Sequence, residues 1–492
     1  MSVAEVASGP QAVSLRQPKG LTFLFLAEMW ERFSFYGMQA LIVLYMSKVL
    51  GFSDARASLT YGAYAAFVFL TPIAGGALAD RVLGFRWAVI IGGVIIIIGH
   101  IVLALPFGAL SMFVGMAFVV VGTGFFKSSV SAVVGQLYGA DDPRRDGGFT
   151  IFYMGINIGS LLATLIVGYV GQQIDWHLGF GLAAIGMALG LIVFVWGTRH
   201  YAAATLVCPR PRLIAPTIGA ALLAVPVLSY LLAEPDGAKL MMLIGGGLTY
   251  AYVVYRAFTS APEYRRHLIA ILIYVLFASV FWALFKQKDG AVLLLVDRAI
   301  DRHVLGFEMP SAMFTSFNPF MILVLAPIFA RVWAAFAERG RPVSTRMKFL
   351  LGLLFAGGAF ALIAGGAYSA SSGEKASLLW VAGGILLLTC GELSLSPVGL
   401  SMIAALSPPA LTGLMFGAWF LSTSFGAYAA GWIGTLATVP GGAAASVAEY
   451  AAACADVYAK VALMSVGAAL VFLCLLPLMR RLQAGHKGSS SH

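Results

Sequence analysis

Fourteen apolar runs, each long enough to cross a bilayer as a helix, constrain this chain more than any other feature of its sequence. A hydrocarbon core about 30 Å thick needs roughly 20 mostly apolar residues at about 1.5 Å of rise each. Runs of that kind lie near 21–49, 57–79, 87–105, 110–138, 147–172 and 177–197, then 212–233 and 238–258. Six more follow near 267–296, 311–336, 346–369, 376–405, 411–438 and 457–479. With 60% of its 492 residues hydrophobic and only 11% charged, the chain is too apolar to be a soluble globule. The expected fold class is all-α, a polytopic membrane protein with 14 transmembrane helices. The first 20 residues are polar and mixed, so no cleaved signal peptide is expected.

An even number of spans puts both termini on one side, and the positive residues say which. Of the 31 Lys and Arg, twenty fall in segments on the side of the termini, seven on the opposite side and four inside spans. Cytoplasmic loops are enriched in these residues, so both termini are expected in the cytoplasm. The spacing of the runs divides the chain into a tail at 1–20, a six-helix bundle at 21–197 and a linker with two additional helices at 198–265. A second six-helix bundle at 266–480 and a tail at 481–492 complete it. The two middle helices are bland and carry no expected transport role.

Several function classes fall away on composition. The net charge of +10 is scattered between apolar runs instead of gathered in a block, so it reflects topology and no nucleic-acid partner is expected. Cys208, Cys390, Cys454 and Cys474 have no metal-like or redox spacing. The seven histidines are dispersed, with only His100 deep in an apolar run, so neither metal nor haem is expected. No Ser/His/Asp set and no metalloprotease helix marks an enzyme.

Eight ionisable residues nevertheless stand inside the spans: Glu28, Glu31, Asp289 and Glu392, against Arg32, Lys127, Lys286 and Lys288. Each costs several kcal/mol in hydrocarbon without a partner or water. Structural ion pairs are one reading, but buried pairs are poor stabilisers compared with apolar packing. Their placement favours a cavity. Glu28, Glu31, Arg32, Phe35, Tyr36 and Gln39 fall on one helical face, as do Tyr153, Asn157, Ser160 and Thr164. Lys127 pairs in the same way with Ser131, Trp282 with Lys286 and Asp289, and Glu392 with Ser396, while Asn318 precedes Pro319. Several helices contributing one polar stripe each describe a wet wall between bundles. Acids and bases together suit a zwitterion, its carboxylate on Arg32 or Lys127 and its ammonium on Glu392. A carboxylate that trades a cation for a proton is also a coupling device.

Three segments resemble a known family. Glu28-Met-Trp-Glu31-Arg32-Phe33-Ser34-Phe35-Tyr36-Gly37 is similar to the Glu-x-x-Glu-Arg-Phe-x-Tyr-Tyr-Gly signature of the proton-dependent oligopeptide transporters, within the major facilitator superfamily. Phe152-Tyr153-Met154-Gly155-Ile156-Asn157-Ile158-Gly159-Ser160-Leu161 and Gly391-Glu392-Leu393-Ser394-Leu395-Ser396-Pro397-Val398-Gly399-Leu400 resemble two further family segments. Gly76-Ala77-Leu78-Ala79-Asp80-Arg81 followed by Gly84 resembles the more general superfamily loop. The resemblance covers about residues 20–480. It implies a major-facilitator fold and proton-coupled import of di- and tripeptides by alternating access across the bacterial inner membrane, by a monomer with no cofactor besides the coupling proton. Glu28, Glu31, Arg32 and Lys127 would couple protons, and Glu392 would take the peptide amino terminus. Asn157 and Asn318 would bind backbone or termini. Tyr36, Tyr153, Trp282 and Trp419 would line side-chain pockets, with Ser422 among the substrate contacts. A transporter of the same fold for a drug, nitrate or an amino-acid derivative is the second reading.

The chain departs from the family pattern at four places. Lys286 stands where many members carry glutamate, Gln39 replaces an arginine, Phe35 a tyrosine, and Phe69 stands where tyrosine is common. Gln39 and the Asn318-Pro319-Phe320 run are closer to the bacterial dipeptide and tripeptide permeases. Two expectations follow from Lys286: Asp289 replaces the missing acid, or Lys286 pairs with Glu31 or Glu392 and occludes the empty site.

Overall fold

The computed structural model describes residues 16–139, 142, 144–201, 205, 208–408, 411–439 and 445–483. The outer parts of both expected tails, 1–15 and 484–492, lie outside the described residues. The first bundle comprises α1 (Lys19–Lys48), α2 (Asp54–Leu78), α3 (Phe85–Leu103), α4 (Ala109–Gln136), α5 (Arg145–Gln173) and α6 (Trp176–Gly197). A hairpin of α7 (Ile214–Ala233) and α8 (Pro235–Thr259) follows. The second bundle comprises α9 (Pro262–Phe285), α10 (Ala291–Ala299), α11 (Phe317–Glu338), α12 (Thr345–Ala370), α13 (Leu378–Leu406), α14 (Thr412–Leu436) and α15 (Val447–Gln483). With α9 and α10 forming one interrupted span, these are fourteen crossings of an all-α protein. Twelve are long and apolar enough on composition alone to cross a membrane. Of the other two, α1 carries Glu28, Glu31 and Arg32 in its middle, and α14 is diluted by Gly, Ser and Thr.

Lipid offers little apolar drive for helices to associate, so close approach through small residues does the work. In α3 and α4, Gly92 and Gly99 face Gly122 and Gly115. A Cβ on Gly122 would lie 2.6 Å from the Gly92 carbonyl oxygen, and one on Gly115 would lie 2.7 Å from that of Gly99. The seam between bundles uses the same device: a Cβ on Gly62 of α2 would meet the Gly431 Cα of α14 at 2.8 Å. Beside it the Ser424 hydroxyl donates to the Ala66 carbonyl across the seam at 2.7 Å. Helix α7 packs on α4, whereas α8 packs on α14 and α9, so the hairpin straddles this seam. Leu223, Val227, Leu243 and Leu248 on its outer faces are exposed, as lipid-facing residues are.

The structure corrects the expected run 267–296. It is not one helix: α9 ends at Phe285, Lys286–Asp289 form a 3₁₀ turn, and α10 resumes after Gly290. Interrupted spans place free backbone and helix ends at membrane depth only where they are buried in protein or line a cavity. The run expected from 311 opens with a 3₁₀ turn at Ser311–Ser316 before α11. The last helix starts about three turns earlier than the apolar pattern indicates. A hairpin of two-residue strands, His303–Val304 with Phe307–Glu308, caps the link from α10 to α11 on the side away from the termini.

Candidate functional site

A cavity of about 270 Å³ opens between the bundles, and the polar stripes converge on it. From the first bundle come Glu28, Arg32, Tyr36 and Gln39 of α1, Phe69 of α2, Lys127 and Ser131 of α4, and Tyr153, Asn157, Ser160 and Thr164 of α5. From the second come Trp282 of α9, Lys286, Lys288 and Asp289 of the 3₁₀ turn, Thr315 and Asn318, Glu392 and Ser396 of α13, and Trp419 and Thr423 of α14. Every stripe read from helical spacing therefore faces one space.

Its charges fall into three groups and Lys127 of α4. On α1 the Arg32 Nε lies 3.0 Å from Glu28 and 2.5 Å from Glu31, with all three side chains at most 5% exposed. One guanidinium thus holds two carboxylates, and removing it would leave two buried anions. Glu31 stands behind the lining, reaching the cavity through Arg32. On the 3₁₀ turn Lys288 Nζ lies 2.6 Å from Asp289 Oδ1, and Lys286 Nζ lies 4.0 Å from Oδ2. Both ammonium groups sit at the carboxyl end of α9, where the helix dipole favours cations. On α13 Glu392 accepts a hydrogen bond from the Asn318 side chain at 3.1 Å, and the same amide donates to Thr389 at 3.0 Å. Glu392 makes no ion pair among the described residues.

Lys127 and Lys286, from opposite bundles, share the ring of Phe69, at 4.0 and 5.0 Å from its centre. The π face accepts cations without neutralising them. Asn157 donates to the backbone of Tyr153 at 3.1 Å, leaving its carbonyl for other partners. The structure pairs Lys286 with Asp289, not with Glu31 or Glu392, so the expected occluding pairs are not formed. Ser422 does not line the cavity: its hydroxyl donates to the Trp419 carbonyl at 2.6 Å, and its neighbour Thr423 faces inward instead. Lys288, Phe69, Phe285, Thr315 and Thr423 line the site although the residue pattern did not select them. Lys288 carried the available signal, as one of the eight charges within spans.

On the side away from the termini a clamp shuts the space between the bundles. Arg298 of α10 holds Asp54 of α2 bidentately, its second bond at 2.7 Å, and donates to Ser47 at 3.0 Å. Lys48 reaches Asp297 at 2.7 Å, and Gln172 of α5 both donates to Ser311 and accepts from the Ala312 amide. Toward the termini the ties run within each bundle: Tyr138 to Gln17 in the first, Arg346 to Gln483 in the second. The bundles meet at one end around a charged, buried cavity.

Residues 86–449 match the model of the POT family. The chain belongs to the POT family. Among its relatives is the peptide transporter YePEPT of Yersinia enterocolitica, 37% identical over 85% of this chain and 87% of that protein. A di-/tripeptide transporter of Lactococcus lactis is also 37% identical, over 83% and 87%. The crystal structure of a peptide transporter POT in complex with sulfate superposes with a TM-score of 0.85 at 34% identity, covering 97% of this chain and 98% of that one. A POT family transporter in complex with 5-aminolevulinic acid superposes with a TM-score of 0.82 at 28% identity, over 95% of this chain and all of the other. Membership makes this chain a multi-pass membrane transporter with the major-facilitator fold.

Proposed function

We propose that this protein imports di- and tripeptides across the bacterial inner membrane together with protons, by alternating access. The observation that carries the reading is the division of opposite charges between bundles. Cations without a cross-bundle partner, Arg32 and Lys127, stand on the first bundle, and a carboxylate with no ion pair among the described residues, Glu392, stands on the second. A zwitterion that engages both draws the bundles together, so substrate binding favours closure over the cavity. The peptide carboxylate meets Arg32 and Lys127, its ammonium meets Glu392 steadied by Asn318, and Asn157 bonds its backbone. Tyr36, Tyr153, Trp282 and Trp419 face its side chains. The relatives named as peptide transporters support this reading.

Proton coupling follows from the same pairs. A peptide carboxylate competes with Glu28 and Glu31 for one guanidinium, and a glutamate that loses its cation in a buried site takes up a proton. Asp289, beside Lys286 and Lys288, is the second acid able to trade cations for a proton, in place of the glutamate that position 286 lacks. With both termini cytoplasmic, the clamp lies on the outer side and the structure is closed outward. Uptake of labelled dialanine into proteoliposomes, with and without an inward proton gradient, tests the proposal. Gradient-driven accumulation that disappears in Glu31→Gln and Lys127→Ala is the expected result. No uptake across a panel of peptides would overturn it and leave another zwitterion or small solute as cargo.

A further inference from the structure

Between the clamp and the cavity, α2 lays a row of hydroxyls along its seam with α14. Asp54, Ser58 and Tyr61 stand at offsets of four and seven on one helical face, spanning roughly 10 Å along the axis. Asp54 belongs to the clamp, whose Arg298 side chain keeps 16% exposure on the outer side. Ser58 and Tyr61 are 1% and 2% exposed; the Ser58 hydroxyl has no hydrogen-bond partner among the described residues, and the Tyr61 hydroxyl faces the Asp289 side chain. The opposing helix leaves space for this row because it presents small residues. A Cβ on Gly434 would already lie 2.8 Å from the Ser58 Oγ. At the same seam Gln287 donates its amide to the Ala430 carbonyl at 2.9 Å, while its Oε1 has no partner among the described residues. The Tyr61 ring lies against Gly290, where a Cβ would meet its Cδ1 at 3.5 Å, and Asp289 is the residue before it.

Two buried oxygens without a partner among the described residues, Ser58 Oγ and Gln287 Oε1, beside a Tyr61 hydroxyl that faces Asp289, are unlike a seam built only for packing. Each such group costs about 1–3 kcal/mol if nothing satisfies it, and in folded proteins ordered water does so. Neither Ser58 nor Tyr61 lines the substrate cavity. We infer that a water-mediated proton route runs along the α2–α14 seam, from Asp54 past Ser58 and Tyr61 to Asp289, apart from the path of the substrate. The inference rests on the peptide–proton reading above. In the transfer step, the Tyr61 oxygen accepts a proton from a water that is itself reprotonated along the row from the Asp54 end, as the Tyr61 hydroxyl proton passes to the Asp289 carboxylate. Tyr61 is unchanged, Asp289 becomes neutral, and Lys286 and Lys288 lose their anion. A proton thus reaches the cavity while the clamp keeps solute out.

Asp289 is also faced by Tyr36 from α1 and Glu392 from α13, besides the two lysines of its own turn. Asp54 is faced by Arg298 from α10, Ser47 from α1, and Tyr450 and Cys454 from α15. Those groups belong to the clamp or the cavity, so the test substitutes only the two hydroxyls between them. Tyr61→Phe and Ser58→Ala are compared with the unaltered chain in two assays in proteoliposomes. One is dialanine counterflow without a gradient, the other dialanine-dependent acidification of the lumen under a membrane potential. The expected result for Tyr61→Phe is normal counterflow with coupled acidification reduced roughly 100-fold, the lower end of what a positioned proton-transfer group contributes. Normal acidification in Tyr61→Phe would overturn the route. If that variant also loses counterflow, Ser58→Ala decides: impaired acidification with counterflow intact supports the route, and any other result overturns it. If the unaltered chain moves dialanine without acidifying the lumen, the coupling reading fails, and the route fails with it.

Discussion

The clamp and the cavity use the same residue types in opposite ways. In the clamp each ion pair joins different bundles: Lys48 with Asp297, and Arg298 with Asp54. In the cavity each pair joins near neighbours: Arg32 with Glu28 and Glu31, Lys286 and Lys288 with Asp289. A pair across bundles must break when the bundles rock apart, so it stores conformational preference. A pair within one turn survives the motion and changes only when a proton or a substrate displaces a partner. Clamp pairs therefore set which side is open, and cavity pairs set what is bound.

Arg32→Ala is the strongest way to break that comparison. It strips the cation from two buried carboxylates, a change worth about 3–5 kcal/mol, so both thermal stability in detergent and gradient-driven uptake should fall sharply. If the variant keeps wild-type uptake, the cavity pairs do not carry coupling. Arg298→Ala comes next, since truncating one member of a desolvated, bidentate pair costs about 2–5 kcal/mol. Here the expected effect is on conformation. Spin labels introduced by Val49→Cys and Val304→Cys, both exposed on the side away from the termini, should show the population of long distances rising, with peptide affinity little changed.

Two residues of the 3₁₀ turn, Lys286 and Asp289, sharpen the comparison. Lys286→Ala is expected to change peptide affinity and its pH dependence, and unchanged values for both would remove it from substrate handling. Asp289→Asn is expected to abolish proton-driven accumulation while counterflow persists; full accumulation would leave the α1 carboxylates as the sole coupling acids. A smaller effect is expected at Lys48→Ala, whose side chain is 41% exposed. Exposed pairs contribute about 0.2–1 kcal/mol, so the same spin-label distances should shift slightly, and less still at high salt. Smallest of all is Asp142, in the link between α4 and α5. Hydrogen bonds from Arg144 hold its carboxyl down to about 2. Its folded-state value is lowered, so its contribution is complete above the ordinary carboxylate range and is lost only as pH falls toward 2. Asp142→Asn should leave the transport profile between about pH 5 and 8 unchanged.

Much of the site was legible in the sequence because hydrocarbon punishes charge. Any ionisable residue within an apolar run needs a reason, and helical spacing assigns it a face, so the stripes of α1, α4, α5 and α13 could be drawn before any fold was known. Ser422, which the resemblance put among the substrate contacts, bonds the preceding turn instead, as Ser and Thr within a helix commonly do, and a family likeness does not show which way a hydroxyl turns. The break at Lys286–Asp289 was hidden because Trp282, Lys286 and Asp289 keep helical spacing through it.

The sequence by itself determined the number of spans, the placement of eight charges at membrane depth and the family. Each follows from local chemistry, read along one segment at a time. Only the tertiary structure decided which charges meet across the fold: that Lys127 rests on Phe69 with no ion pair among the described residues, and that Arg298 crosses to Asp54. It also brought the hydroxyls of α2 against the glycines of α14. Pairing depends on which faces of different helices come within a few ångströms, and that is set by packing between segments far apart in the chain.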